Sequence, residues 1–274
     1  MKENAEDLAV TQKLMDIRLK PKELLNGKAA STRPLPEVAL PVAKKVQQRS
    51  ASLPAHAFSQ RERIAMHDLQ EQCRRFCLNT FLRQQDPVRC LGITSAIAGE
   101  GRSLLSVIMA QVLAADSAAP VVLIECGWEP KSSPASLTIP TYFGIPSQPG
   151  LAEWLLGECK EGEMSYLVAE NLTVIPAGNS RNDAIKVLQA MPKMLDRLIH
   201  THHFVIVDLP PVITTPYGVL ASGMVEALAL VVRAGSTPVP LVREASNRLQ
   251  GLQVEGVILN QMQSKIPRWL ERIL

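Results

Sequence analysis

Aromatic residues are scarce in this chain. Phe, Trp and Tyr make up 4% of its 274 residues, too few for the stacking platforms that hold single-stranded nucleic acid, so no nucleic-acid partner is expected. No run approaches about 18 uncharged apolar residues, so no membrane-spanning helix is expected. The N-terminus has no apolar core after its lysine and does not read as a secretory signal. Cysteines number five, at positions 73, 77, 90, 126 and 159. Cys73 and Cys77 stand i,i+4 on an expected helix, but no His or second Cys pair joins them at metal-ligand spacing, so reduced thiols are expected rather than a metal site.

What is present is an α/β pattern with an uneven charge. Hydrophobic residues reach 46%, and the formal net charge is +3. Residues 1–90 carry 16 Lys and Arg against 10 Asp and Glu, whereas 91–274 carry 13 against 16. A basic arm on a slightly acidic domain fits an anionic partner such as a membrane surface or an acidic protein, or else an ordinary solvated surface. Residues 1–25 show a weak helical pattern and read as an interaction segment. Residues 26–58, punctuated by Pro34, Pro36, Pro41 and Pro54, read as a disordered linker. A polar helix is expected over 59–83. From Cys90 onward, strands (90–94, 121–125, 172–175, 203–207, 227–232, 256–259) alternate with helices (102–115, 151–158, 183–200, 238–251), which implies a doubly wound, mostly parallel sheet covered on both faces. Pro192 should kink or divide the third of these helices. The domain spans 59–261, and 262–274 form a short basic amphipathic tail.

The phosphate-loop pattern G-x-x-x-x-G-K-[ST] wraps backbone N–H groups around phosphates. Residues 96–103 fill its frame as Ala-Ile-Ala-Gly-Glu-Gly-Arg-Ser. Gly99, Glu100, Gly101, Arg102, Ser103 and Leu104 are the candidate nucleotide-binding residues. Gly101 is the second glycine, and Ser103 is the hydroxyl that would hold Mg²⁺. Ala96 stands where the first glycine belongs and Arg102 where the lysine belongs. The amides and helix N-terminus still favour an anion. Arg102 keeps the charge but not the geometry, because a planar guanidinium does not replace a compact ammonium.

Two carboxylates follow at strand ends. Glu125 closes the run Val121-Val122-Leu123-Ile124 and is placed to serve Mg²⁺-bound water or act as base, or to be a solvated strand end. Asp208 closes Phe204-Val205-Ile206-Val207, the Walker B arrangement that holds Mg²⁺. His200, His202 and His203 precede that strand at its wrong end, so a solvated turn is expected there rather than zinc. Asn260 ends another strand, where an amide can bond an adenine edge or shape a turn.

Together these residues resemble the bacterial tyrosine-kinase (BY-kinase) family of polysaccharide biosynthesis, within the deviant P-loop group that includes the MinD and ParA ATPases. The resemblance covers about residues 66–261. It is carried by a worn E-x-x-R-x-L-R-T-N helix (Glu71, Arg74-Arg75, Leu78-Asn79) and by Ile93-Thr94-Ser95. It continues through Pro149-Gly150-Leu151, Leu155-Leu156-Gly157, Leu172-Thr173-Val174-Ile175-Pro176-Ala177-Gly178, Val207-Asp208-Leu209-Pro210-Pro211-Val212 and Gly256–Asn260. Their order favours BY-kinases over MinD or ParA. It implies ATP or ADP with Mg²⁺ as ligands, here weak or absent. The departures are Arg102 for the loop lysine, Glu125-Cys126-Gly127 for the D-x-D motif, Pro130-Lys131 in reversed order, and Tyr217 at or near an expected aspartate. The chain has three tyrosines (142, 166, 217), none in a C-terminal cluster. The resemblance is therefore to a pseudokinase, and the reading leans away from an active enzyme. It further implies a cytoplasmic protein at the inner face of the cell membrane. There it would dock on a membrane-embedded chain-length-determinant protein and form a homo-oligomer or an assembly with an active kinase. The basic arm and Trp269, Leu270, Ile273 and Leu274 are docking elements for a partner or a lipid surface, or a helix folding back on the domain. The rival expectations are an active kinase or ATPase using Arg102, and a MinD/ParA-like positioning ATPase.

Overall fold

The computed structural model describes residues 44–45, 60–128, 138–180 and 183–261, all within the unit Pro41–Leu274. The segment 1–25, the linker 26–58 apart from Lys44 and Lys45, Pro130-Lys131 and the tail 262–274 lie outside the described residues.

The strands are β1 (Lys44–Lys45), β2 (Cys90–Ser95), β3 (Val121–Glu125), β4 (Tyr166–Ala169), β5 (Leu172–Ile175), β6 (Phe204–Asp208), β7 (Ala227–Arg233) and β8 (Val254–Asn260). They form one sheet in the order β1-β4-β5-β3-β6-β2-β7-β8. The pairs of β2, β3, β5, β6, β7 and β8 are all parallel, and β4 runs antiparallel to β5. The helices are α1 (Gln60–Phe81), α2 (Arg102–Ser117), α3 (Ile139–Phe143), α4 (Leu151–Leu155), α5 (Ala184–Thr201), α6 (Gly218–Ser222) and α7 (Val239–Arg248).

Continuous apolar strands demand cover on both faces, and the side chains divide accordingly. Val121 and Leu123 of β3, with Phe204 and Ile206 of β6, pack among α1, α2 and α3. Val122 and Ile124, with Val205 and Val207, pack among α4 to α7. This alternation, with period two, is the physical basis of the doubly wound architecture.

Three local features differ from the pattern reading. β4 with its hairpin to β5, and the five-residue helices α3 and α6, lack a long apolar run and are too short to be read from periodicity. α5 continues through Pro192 as one helix. Its apolar face (Val187, Leu188, Met191, Met194, Leu195, Leu198) is buried against the sheet, and that burial outweighs the one main-chain bond a proline removes. Lys44 and Lys45, within the expected linker, pair in parallel with Tyr166 and Leu167 of β4 and make β1 the edge of the sheet.

At the opposite edge, Arg83 beyond α1 donates to Glu255 of β8 at 2.8 Å, with side chains 25% and 6% exposed. This pair ties the helix layer to the last strand. Arg83→Ala is expected to destabilise the domain by about 1–2 kcal/mol, between the exposed and buried limits for ion pairs. A urea midpoint that falls at unchanged slope is the measurement, and an unmoved midpoint contradicts it.

Candidate functional site

β2, β3, β6, β7 and β8 are parallel, so their C-terminal ends share one edge of the sheet. β2 lies between β6 and β7. The loop leaving β2 is therefore flanked by the ends of those two strands, as in other open α/β sheets that bind ligands there.

Gly99 and Gly101 take φ values of +86° and +93°, the left-handed region that glycine enters without a Cβ penalty. The turn delivers the chain into α2 at Arg102. Leu105 is the first residue of that helix whose N–H closes a turn, onto Gly101 O at 3.1 Å. Among the described residues the N–H groups of Arg102, Ser103 and Leu104 have no acceptor. They are the orphan donors of a helix N-terminus, aimed with the dipole at the loop's interior.

Asp208 is 5% exposed. Ser103 Oγ donates to its Oδ2 at 2.6 Å, and Ser106 Oγ lies 3.5 Å from its Oδ1. Ser103 and Asp208 are the side chains that would hold a Mg²⁺, the carboxylate through water, and the ion would supply charge neutralisation beside a bound phosphate. No group of three or more His, Cys, Asp or Glu side chains is placed to hold a metal among the described residues.

Arg102 turns to the neighbouring strand. Its Nη1 donates to the carbonyl oxygen of Leu209, directly after Asp208. The guanidinium thus binds the loop that follows β6.

Glu125 pairs in register with Asp208 across β3 and β6, and its Oε2 accepts the N–H of Ala177 at 3.2 Å. Trp128 donates from Nε1 to Ala177 O at 2.7 Å. Its ring lies 6.3 Å from that of Tyr217, centroid to centroid. Glu125, Trp128, Thr138, Thr141, Ala177 and Gly178 line a cleft of about 430 Å³ at the end of β3. The wall at 177–178 is fixed by Glu153, which accepts the N–H of Gly150 at 2.8 Å and of Asn179 at 3.0 Å.

Asn260 lies over the phosphate loop. Its Nδ2 donates to Glu100 O at 2.8 Å, and its Oδ1 accepts the N–H of Gln261 at 2.9 Å. Both ends of the amide are engaged with protein. Motif reading gave no role to Trp128, in the loop after β3, or to Glu153, in α4; Ala177, Gly150 and Gly178 stood in quoted motifs.

Cys73, Cys77, Cys90 and the three histidines before β6 are apart from this edge. Burial pushes the Cys73 thiol up to about 11 and Cys90 up to about 12, and raises Cys77 further. They remain protonated and poor metal ligands. Burial lowers His202, while His200 and His203 are exposed at the far end of β6.

No protein-family model matches the chain. Three bacterial proteins do. Tyrosine-protein kinase ptk of Acinetobacter johnsonii is 28% identical over 127 residues, covering 44% of this chain and 17% of that protein. Putative tyrosine-protein kinase CapB of Staphylococcus aureus is 23% identical over 190 residues, covering 66% and 79%. Tyrosine-protein kinase CpsD of Streptococcus agalactiae is 24% identical over 183 residues, covering 65% and 77%. The curated relatives are bacterial tyrosine-protein kinases. Among solved structures, the VpsO kinase domain superposes with a TM-score of 0.65 at 24% identity, covering 74% of this chain and 98% of that one. The kinase domain of Escherichia coli ETK gives 0.60 at 22%, covering 72% and 79%. The septum site-determining protein MinD of Pyrococcus horikoshii, complexed with Mg-ADP, gives 0.52 at 17%, covering 68% and 77%. These likenesses establish the fold as a P-loop α/β domain of the BY-kinase and MinD kind.

Proposed function

We propose that this chain is a BY-kinase-like P-loop protein that has weakened its nucleotide site and lost phosphoryl transfer. It acts as a regulatory or scaffolding partner in exopolysaccharide or capsule biosynthesis. The observation that carries this reading is Arg102, which stands in the lysine position and spends its guanidinium on the Leu209 carbonyl. A positioned cation at the transferring phosphate contributes several kcal/mol to such a reaction. Gly127 supplies no carboxylate beyond Glu125, and Tyr217 brings an aromatic ring to Trp128 where the family pattern expects an acid.

The residues that remain suit binding without chemistry. The loop amides and α2 would hold a diphosphate, with Ser103 and Asp208 on the Mg²⁺. When bound, the metal would supply charge neutralisation between the phosphates. No helix of the described residues is long and apolar enough to cross a membrane. Membrane association in this proposal runs through a chain-length-determinant partner, with the basic arm and the 262–274 tail as contact elements.

The kept Ser103–Asp208 pair favours the rival reading, a slow kinase or ATPase. Incubation of purified protein with radiolabelled ATP separates the two. The expected result is no transfer or hydrolysis above background. Turnover that disappears in Asp208→Ala overturns the pseudokinase reading. Calorimetry with ADP and Mg²⁺ is expected to show weak binding, and absence of heat at millimolar ligand makes the loop purely structural.

A further inference from the structure

The phosphate loop carries a buried acid that its wrapping of an anion does not require. Glu100 is 1% exposed. Its Oε2 accepts the N–H of Ile97 at 2.8 Å, inside the loop. Its Oε1 accepts the N–H of Arg233, the last residue of β7, at 3.2 Å and the hydroxyl of Thr237, in the turn that leads into α7, at 2.5 Å. Its carbonyl receives Asn260 Nδ2 from the end of β8. The contacts of one residue thus join three segments that are far apart in sequence.

Its neighbours explain why such an anchor is needed. Gly99 and Gly101 provide the positive φ angles, and glycines are the residues with most freedom to lose on ordering. Glu100 is the one side chain between them, so rigidity of the turn has to come from it. The space above Gly101 is also closed, because a Cβ there would stand 2.1 Å from Asn260 Nδ2. A carboxylate this buried costs heavily unless its lone pairs are satisfied. Two main-chain amides and a hydroxyl satisfy them, and those donors lie on both sides of the gap it bridges.

We infer that Glu100 is a positioning residue whose carboxylate latches the phosphate loop to the β7–α7 turn, with Thr237 as the other half of the latch. The inference rests on the nucleotide-binding reading above and deepens it. The latch holds the amides of residues 99–104 in anion-binding geometry before a nucleoside diphosphate arrives. Such preorganisation raises affinity by lowering the ordering cost of binding. Thr237 therefore controls diphosphate affinity from outside the loop. A glutamine at position 100 cannot reproduce the latch, since its single oxygen serves one side and its NH₂ meets a donor on the other.

The test is calorimetric titration of the full chain with ADP and Mg²⁺, for wild type, Thr237→Val, Thr237→Ser, Glu100→Gln and the Glu100→Gln/Thr237→Val double variant. Thr237→Val and Glu100→Gln are each expected to weaken binding about tenfold, the scale of one hydrogen bond to a charged group. Thr237→Ser keeps the hydroxyl and stays within about twofold, and the double variant binds no worse than Glu100→Gln by more than about twofold, because the two act as one unit. Single variants that both bind like wild type overturn the latch. If wild type shows no binding at all, the nucleotide reading fails instead. The latch is then read from amide exchange over residues 97–104, which Thr237→Val should speed about tenfold and Thr237→Ser should not. Equal exchange in all three proteins overturns it.

Discussion

Arg102→Lys is expected to tighten MgADP binding by about ten- to a hundredfold, the value of one added charge-assisted hydrogen bond of roughly 1.5–3 kcal/mol. In wild type the guanidinium is drawn to Leu209 O. A lysine has no planar fork to hold that carbonyl, and its compact ammonium suits a phosphate oxygen at the helix N-terminus. The frame that would receive the phosphate is already built: the free first-turn amides of α2, and Ser103 seated on Asp208 at 2.6 Å. Transfer activity should stay near background in the same variant, because Gly127 still lacks a carboxylate. Calorimetry and radiolabelled ATP read the two properties separately. An affinity unchanged by the lysine refutes the claim that Arg102 is what weakens the site. Full recovery of turnover shows instead that Glu125 and Asp208 suffice.

Gly150→Ala should lower stability by at least about 3 kcal/mol, which for a domain of this size means a melting temperature roughly 6–12 °C lower. An ideal Cβ at Gly150 would lie 2.4 Å from Gly178 N and 2.5 Å from Pro176 O. Both are main-chain atoms, so relief requires moving the loop after β5 rather than rotating a side chain. That loop also carries Ala177, whose N–H meets Glu125 and whose carbonyl meets Trp128. The cleft wall should therefore loosen along with the fold, visible as a change in Trp fluorescence. Gly223→Ala is the control, because its nearest atoms stand 3.5 Å away or more and its φ is −75°. It should stay within about 0.5 kcal/mol. A Gly150→Ala protein that melts with the control contradicts the packing described for this corner.

The readable parts of the sequence share one property: their signal is local. The apolar runs at β2, β3, β6 and β7 announce strands buried on both faces, and their ends put Asp208 and Glu125 side by side at one edge of the sheet. Gly99 and Gly101 flag a turn that needs positive φ. β4, α3 and α6 are four or five residues long and have no periodicity to detect. Pro192 marks a kink or a division by local rules, and the apolar face of α5 keeps the helix undivided. Asn260 marks a strand end by position, yet its bond to Glu100 O comes from a residue 160 positions away.

The sequence by itself determined the alternation that makes a covered parallel sheet, the glycine turn at the head of α2, and the replacement of lysine by Arg102. Each is a property of neighbouring residues and their backbone preferences. Only the tertiary structure decided which atoms those residues spend their bonds on. Arg102 turns to Leu209, Glu100 latches to Thr237, and Tyr217 stands beside Trp128, because the parallel order of β3, β6, β2, β7 and β8 brings distant strand ends to one edge. Hydrogen bonds across such an edge depend on distances that chain order does not encode.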